Sequence, residues 1–112
     1  MFLGIDIGTS EVKALLLDAS HKQIDTAGAP LAISRPHPGH SEQHPAEWWT
    51  ATQLALATLR QAHPQAYGAV QAIGLSGQMH GAVLLDAQDQ VLRPAILWND
   101  TRASVECAQM TA

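Results

Sequence analysis

The chain has 112 residues, a formal net charge of −4 and 46% hydrophobic residues, which suits one small globular domain and excludes a disordered chain. Its six basic residues are scattered along the sequence, so no basic surface is predicted for a nucleic acid partner. Charged residues make up only 14%, below the usual value of about 25%, which favours a piece of a larger domain.

Three strands are predicted in the first third of the chain. The first covers Phe2–Ile7 and the second Val12–Asp18, and the short polar segment between them indicates a hairpin. The third covers Gln23–Ile33, where Gly28 and Pro30 suit an edge strand or a bulge.

A proline-rich loop and a helix follow. Residues 34–45 contain three of the six prolines and are predicted to be loop, with Pro45 placed at the first helical position. The helix is predicted over Ala46–Ala62, where apolar residues recur at three- and four-residue spacing, and His63-Pro64 ends it. The predicted stripe consists of Trp48, Ala51, Thr52, Ala55, Leu56 and Leu59.

The last third alternates short strands and turns. Val70–Leu75 is predicted to be a strand, Ala82–Asp86 to return as another, and Pro94–Trp98 to form a further apolar stretch. Residues 99–101 are Asn-Asp-Thr, which can cap a final helix beginning near Arg102. Strands and helices in this order predict a mixed α/β sheet.

The first candidate site follows the first strand. Asp6 ends that strand, and Gly8, with a positive φ, would let successive backbone N–H groups point into one concavity. Thr9 and Ser10 add hydroxyl groups and Lys13 adds positive charge, so these residues describe a cradle for phosphate with Asp6 as a magnesium ligand. The alternative is an ordinary hairpin turn, since Asp and Thr are common in turns.

Four segments of the chain carry a family resemblance, and they occur in the family's order. They are residues 4–10 with Lys13, residues 41–49, residues 74–81 and residues 93–102. The first resembles the phosphate loop of the actin and hexokinase superfamily. Together they resemble the family of carbohydrate kinases that includes xylulokinases and glycerol kinases.

The third segment distinguishes subgroups of that family. The sequence Gln78-Met79-His80-Gly81 is similar to the sugar loop of xylulokinases, whereas glycerol kinases are expected to carry Arg-Glu in place of Met79-His80. The resemblance implies that Gln78, Met79 and His80 bind the sugar. Trp98 and Asp100, with Asn99 between them, would complete the pocket; alternatively, they form a helix cap and a packed indole.

The resemblance implies a ribonuclease-H-like, actin-type ATPase domain with a five-stranded mixed sheet and flanking helices. Residues 1–112 would be the first part of the amino-terminal kinase domain, with the second, carboxy-terminal domain absent. The activity implied for the whole enzyme is transfer of the γ-phosphoryl group of ATP, with Mg²⁺, to D-xylulose, giving xylulose 5-phosphate. Related ketose or polyol substrates (ribulose, glycerol) and a non-enzymatic remnant are the alternatives.

The resemblance also implies which parts of the kinase lie outside these 112 residues. The general base and the adenine site are expected beyond residue 112, so the chain alone should be inactive and should depend on the remainder of the kinase chain. A homodimer is possible. No apolar run approaches the roughly 18 residues of a membrane span, and the amino terminus lacks the features of a signal peptide, so we expect a soluble cytoplasmic protein with no membrane partner.

Two features depart from the family pattern. Glu11 stands where many relatives carry Gly, and its carboxylate would repel phosphate unless it points to solvent. His44 stands where the family more often shows Asp. His44, His37 and His40 lie around Glu42 in sequence, but no cysteine pair or regular spacing supports a metal site there.

Overall fold

The computed structural model describes residues 1–112, which form six strands and three helices. The chain divides into two compact units, one made of residues 1–31 and 46–78 and the other of residues 32–45 and 79–112. In chain order the elements are β1 (Phe2–Ile7), β2 (Glu11–Leu17), β3 (Gln23–Pro30), β4 (Glu42–Gln43), α1 (Pro45–Ala62), α2 (Pro64–Gly68), β5 (Ala72–Gly77), β6 (Ala95–Ile96) and α3 (Ser104–Thr111).

The first unit contains a four-stranded mixed sheet in the order β3-β2-β1-β5. The chain between Phe2 and Leu17 makes the predicted antiparallel hairpin, and β5 pairs with β1 in parallel. Side chains alternate between the two faces of a strand, so every second residue of β1 and β2 faces the core. The buried residues of these two strands are Leu3, Ile5, Val12, Ala14 and Leu16.

Helix α1 covers this apolar face, as its predicted stripe requires. Ala51, Ala55 and Leu59 are buried and belong to one cluster with the β1 and β2 residues. The three residues lie at four-residue spacing, so they share one side of the helix, and that side faces the sheet. Neither α1, at 18 residues, nor any other helix is long and apolar enough to cross a membrane.

The two edges of this sheet differ. β3 forms one edge, as Gly28 and Pro30 predict, and its pairing with β2 shifts register between Leu16 and Leu17. β5 forms the other edge, and all six of its residues are exposed.

The second unit is built around β6. β4 and β6 pair antiparallel, Glu42 opposite Ile96, and Ala82 forms a bridge to the other side of Ile96 through two hydrogen bonds of 2.8 and 3.0 Å. The three backbone segments therefore meet at Ile96. Ala95 and Leu97, on either side of it, are buried.

Several predicted elements differ from the structure. The main sheet has four strands rather than five. The predicted strand over Ala82–Asp86 is wrong, because only isolated bridges from Ala82 and Leu85 form there. The third strand ends at Pro30 rather than Ile33. The short helix α2 was not predicted.

The predicted cap of the last helix is also wrong. α3 begins at Ser104, and its N-cap residue, Ala103, has no side chain to accept a hydrogen bond. The carboxylate of Asp100 is instead engaged by Arg102 and by the backbone N–H of Ser41.

Candidate functional site

Asp6 lies at the end of β1 between two polar residues of the neighbouring strands. The register places it directly opposite Lys13 on β2 and Ser76 on β5. Residues opposite each other in a sheet share a face, so these side chains project from the same side. Ser76 escaped the sequence-based prediction because the parallel pairing of β5 with β1 joins residues 70 positions apart.

A groove of about 370 Å³ opens on this face, and we call it the Asp6 groove. Gly4 and Gly74, which are opposite each other in the sheet, contribute to its floor. A Cβ atom added at Gly74 would meet no heavy atom within 4 Å, so the floor is open. An exposed carboxylate beside an ammonium and a hydroxyl is a donor set that fits a magnesium-bound phosphate.

The turn after β1 is tight because the backbone closes on itself. The N–H of Gly8 donates to the carbonyl oxygen of Glu11 at 3.0 Å, and a Cβ atom at Gly8 would lie 2.9 Å from that oxygen. The predicted positive φ at Gly8 is wrong, since Gly39 is the glycine with a positive φ. Gly8 is needed for close approach, and its N–H is used within the turn.

Gln78 fastens this turn to the end of β5. Its backbone N–H donates to the carbonyl oxygen of Ile7 at 2.9 Å, and its side-chain amide donates to that of Gly8 at 3.5 Å. The hydroxyl of Thr9 donates to its amide oxygen at 3.4 Å. Gln78, predicted as a sugar-binding residue, therefore lies against the predicted phosphate turn, together with Thr9. Ser10, the next residue, is exposed, and its carbonyl oxygen accepts from the N–H of Leu31.

Glu11 is paired with the lysine of the site. The Nζ atom of Lys13 lies 3.1 Å from Oε1 of Glu11, and both side chains are about half exposed. Gly28 on β3 makes room for the carboxylate, because a Cβ atom there would lie 2.9 Å from Oε2 of Glu11. The carboxylate is therefore neutralised by Lys13 in this arrangement.

The predicted sugar residues of the second unit lie close to β6. Met79 is exposed, and His80 adopts a left-handed backbone conformation with φ of 58° before Gly81 and the bridge from Ala82 to Ile96. Trp98 is 53% exposed and follows that same strand. The structure therefore brings the Met79–His80 turn and Trp98 to neighbouring segments.

Four charged residues of the second unit, Glu42, Arg93, Asp100 and Arg102, form a charged cluster. Oε1 of Glu42, a residue only 6% exposed, accepts from Arg93 and, at 2.7 Å, from Arg102. Arg102 also donates to both carboxylate oxygens of Asp100, at 2.6 and 2.9 Å. Its hydrogen bonds hold the pKa of Asp100 far below the ordinary range and lower the pKa of Glu42, while the two carboxylates raise the pKa of Arg102.

The two carboxylates of the cluster and two nearby histidines all have partners within the protein. Oδ2 of Asp100 additionally accepts from the backbone N–H of Ser41 at 2.6 Å, and Oδ1 accepts from the backbone N–H of Arg102 at 2.9 Å, so both oxygens have protein partners. Glu42, which lies among the histidines in sequence, is bound by two arginines. His37 and His40 pack edge to face, with ring centroids 5.0 Å apart.

The whole chain, residues 1–112, matches the sequence profile of the "FGGY family of carbohydrate kinases, N-terminal domain". It is 50% identical to a xylulose kinase of Escherichia coli over 112 residues, all of this chain and 23% of that protein. The crystal structure of a "xyloylose kinase" from Brucella ovis superimposes with a TM-score of 0.94 at 57% identity, over 96% of this chain and 23% of that one. A glycerol kinase of Plasmodium falciparum, at 20% identity and a TM-score of 0.85 over 98% of this chain and 22% of that one, shares the fold. The chain thus spans less than a quarter of the length of these relatives.

Proposed function

The chain belongs to the FGGY family of carbohydrate kinases, and from this membership we propose that the whole protein transfers the γ-phosphoryl group of ATP to D-xylulose. The observation that carries the proposal is the exposed carboxylate of Asp6, which lies between Lys13 and Ser76 at the ends of paired strands. Two xylulose kinases about 50% identical to the chain support D-xylulose as the acceptor.

On the phosphate side, the chain supplies charge and hydroxyl groups around an open floor. Lys13 would attract the phosphates, and the hydroxyl group of Ser76 would donate to one of their oxygens. The hydroxyl group of Thr9, which donates to Gln78 in this structure, would have to exchange that bond for one to phosphate. Asp6 would hold Mg²⁺ directly or through water. The ion would neutralise charge on the phosphates when bound.

On the sugar side, the chain supplies one imidazole and two apolar surfaces. His80 would exchange a hydrogen bond with a sugar hydroxyl, since a neutral imidazole can both donate and accept. Met79 and Trp98, both more than half exposed, would form apolar walls against the carbon chain of the ketose. The Met79-His80 pair differs from the charged Arg-Glu pair that is expected at these positions in glycerol kinases.

The chemistry also requires a base that accepts the proton of the attacking hydroxyl. We place that base and the adenine site in the part of the protein that corresponds to the unmatched length of the relatives. The 112-residue chain alone would then show no turnover.

A coupled assay on a full-length polypeptide containing this chain tests the proposal. D-Xylulose, L-ribulose and glycerol are offered separately with MgATP, and release of ADP is followed. We expect kcat/KM to be highest for D-xylulose, and no activity from the 112-residue chain. A higher kcat/KM for glycerol or L-ribulose would contradict the assigned acceptor, and absence of ADP release with every sugar would contradict the kinase.

A further inference from the structure

The two carboxylates of the charged cluster are more buried than charged side chains usually are. The proposed phosphoryl transfer does not use this cluster. Glu42 exposes only 9% of its side chain and Asp100 only 2%, yet each carries a full negative charge. Burying a carboxylate is costly unless charged partners compensate. Here Arg102 is the shared partner, because it bonds to both carboxylates.

The bonds of the cluster converge on the turn that carries Trp98. The N–H of Asp100 donates to the carbonyl oxygen of Leu97 at 3.1 Å, closing a four-residue turn over residues 97–100, which we call the Trp98 turn. The N–H of Leu97 donates to the carbonyl oxygen of Ser41, while the N–H of Ser41 donates to the Asp100 carboxylate. Both ends of the Trp98 turn are therefore fixed to residue 41, and Arg102 fixes the carboxylate at its second end.

We propose that Arg102, bridging Asp100 and Glu42, is a positioning residue that holds the Trp98 turn in the geometry needed for sugar binding. The inference rests on the proposed function, and it gives Asp100 a different role from the predicted contact with sugar. Both carboxylate oxygens of Asp100 accept hydrogen bonds from Arg102 or Ser41. Asp100 therefore affects sugar binding by holding the Trp98 turn in place. The residue that meets the ketose is Trp98.

Steady-state kinetics of the full-length polypeptide test this role through a double-mutant cycle. Arg102→Lys keeps the charge but cannot make the forked bonds to two carboxylates, so we expect KM for D-xylulose to rise about tenfold with kcat changed less than about twofold. Because Arg102 acts through Trp98, the double variant with Trp98→Ala should lose no more affinity than Trp98→Ala alone. If the double variant loses affinity by the product of the two single-variant losses, the proposal is overturned. Arg60→Lys, at an exposed arginine of α1, is the matched control and should behave as wild type.

A second readout does not depend on activity. With 5-fluorotryptophan incorporated, the Trp98 resonance is assigned by its loss in Trp98→Phe, and we expect Arg102→Lys to shift or broaden it while the Trp48 and Trp49 resonances stay unchanged. An unchanged Trp98 resonance would refute the positioning role. If the wild-type protein phosphorylates no sugar, the proposed function fails, and this spectrum alone decides whether Arg102 orders the turn.

Discussion

Gly8 shows how one residue fixes the geometry of the turn that is predicted to bind phosphate. A methyl group there would lie 2.9 Å from the carbonyl oxygen of Glu11, so Gly8→Ala must open the turn, and we expect it to lower the free energy of unfolding by about 2 kcal/mol. Gly74→Ala is the matched control, because its added methyl group would meet nothing within 4 Å. Urea denaturation measures both. Equal free energies of unfolding for the two variants would show that the turn accommodates the added methyl group without loss of stability.

Glu11 sets the charge available beside the Asp6 groove. Its carboxylate pairs with Lys13 at 3.1 Å, and a neutral amide would release the ammonium toward a bound phosphate. We expect Glu11→Gln to tighten MgATP binding to the full-length polypeptide about threefold at low salt, with the gain fading as ionic strength rises. Glu47→Gln, on α1, is the control. Calorimetric titration showing unchanged or weaker binding by Glu11→Gln would mean that the pair orients Lys13 usefully.

At the scale of elements, α1 stabilises the sheet through one side of the helix. Leu59 is completely buried in the cluster, so Leu59→Ala should lower the free energy of unfolding by about 3 kcal/mol. Leu54, on the same helix, is 58% exposed, and Leu54→Ala should change it by less than about 0.5 kcal/mol. Similar losses for both, measured by urea denaturation, would mean that the helix is not seated as described.

Local patterns predicted some elements well and could not predict others. The β1–β2 hairpin and α1 follow from alternating and helical periodicity, which are properties of neighbouring residues. The strand expected at Ala82–Asp86 reduces to isolated bridges, because its partners are the very short β6 and the segment near Val91. Asp6 was predicted as a site residue from its neighbours in the sequence, whereas the position of Ser76 opposite it and the link from Glu42 to Arg102 depend on pairings between residues 60 or more positions apart.

The charged cluster makes stability depend on pH. Arg102 lowers the pKa of Asp100 and of Glu42 in the folded chain, so the unfolded chain binds more protons as pH falls toward the ordinary carboxyl values near 4. The stabilisation is complete above those values and is lost as pH falls through the folded-state pKa values. Asp100→Asn should therefore be less stable than wild type at pH 7, by a margin that shrinks below about pH 4.

Thermal unfolding at a series of pH values measures this margin. Asp89→Asn is the control, since Asp89 is exposed and its left-handed backbone suits Asn equally well. A deficit of Asp100→Asn that stays constant from pH 7 to pH 3 would contradict the ionic origin of the stabilisation.

At the scale of the whole molecule, the two units divide the proposed work. The first unit holds the Asp6 groove and the turn that Gln78 fastens, and the second holds the Met79–His80 turn and the Trp98 turn. Gln78, which is fastened to the predicted phosphate turn, is followed directly by Met79 and His80, which are predicted to bind the sugar. This division implies that the two substrates can be affected separately by mutation.

The most direct test replaces Asp6 by Ala in a full-length polypeptide containing this chain. Turnover of D-xylulose is measured together with the dissociation constant of the sugar. We expect turnover to fall at least about a hundredfold, since a charged group facing the phosphates is lost, while sugar binding changes less than about twofold. Turnover within a few fold of wild type, or an equal loss of sugar binding, would contradict the assignment of Asp6 to the phosphate side of the reaction.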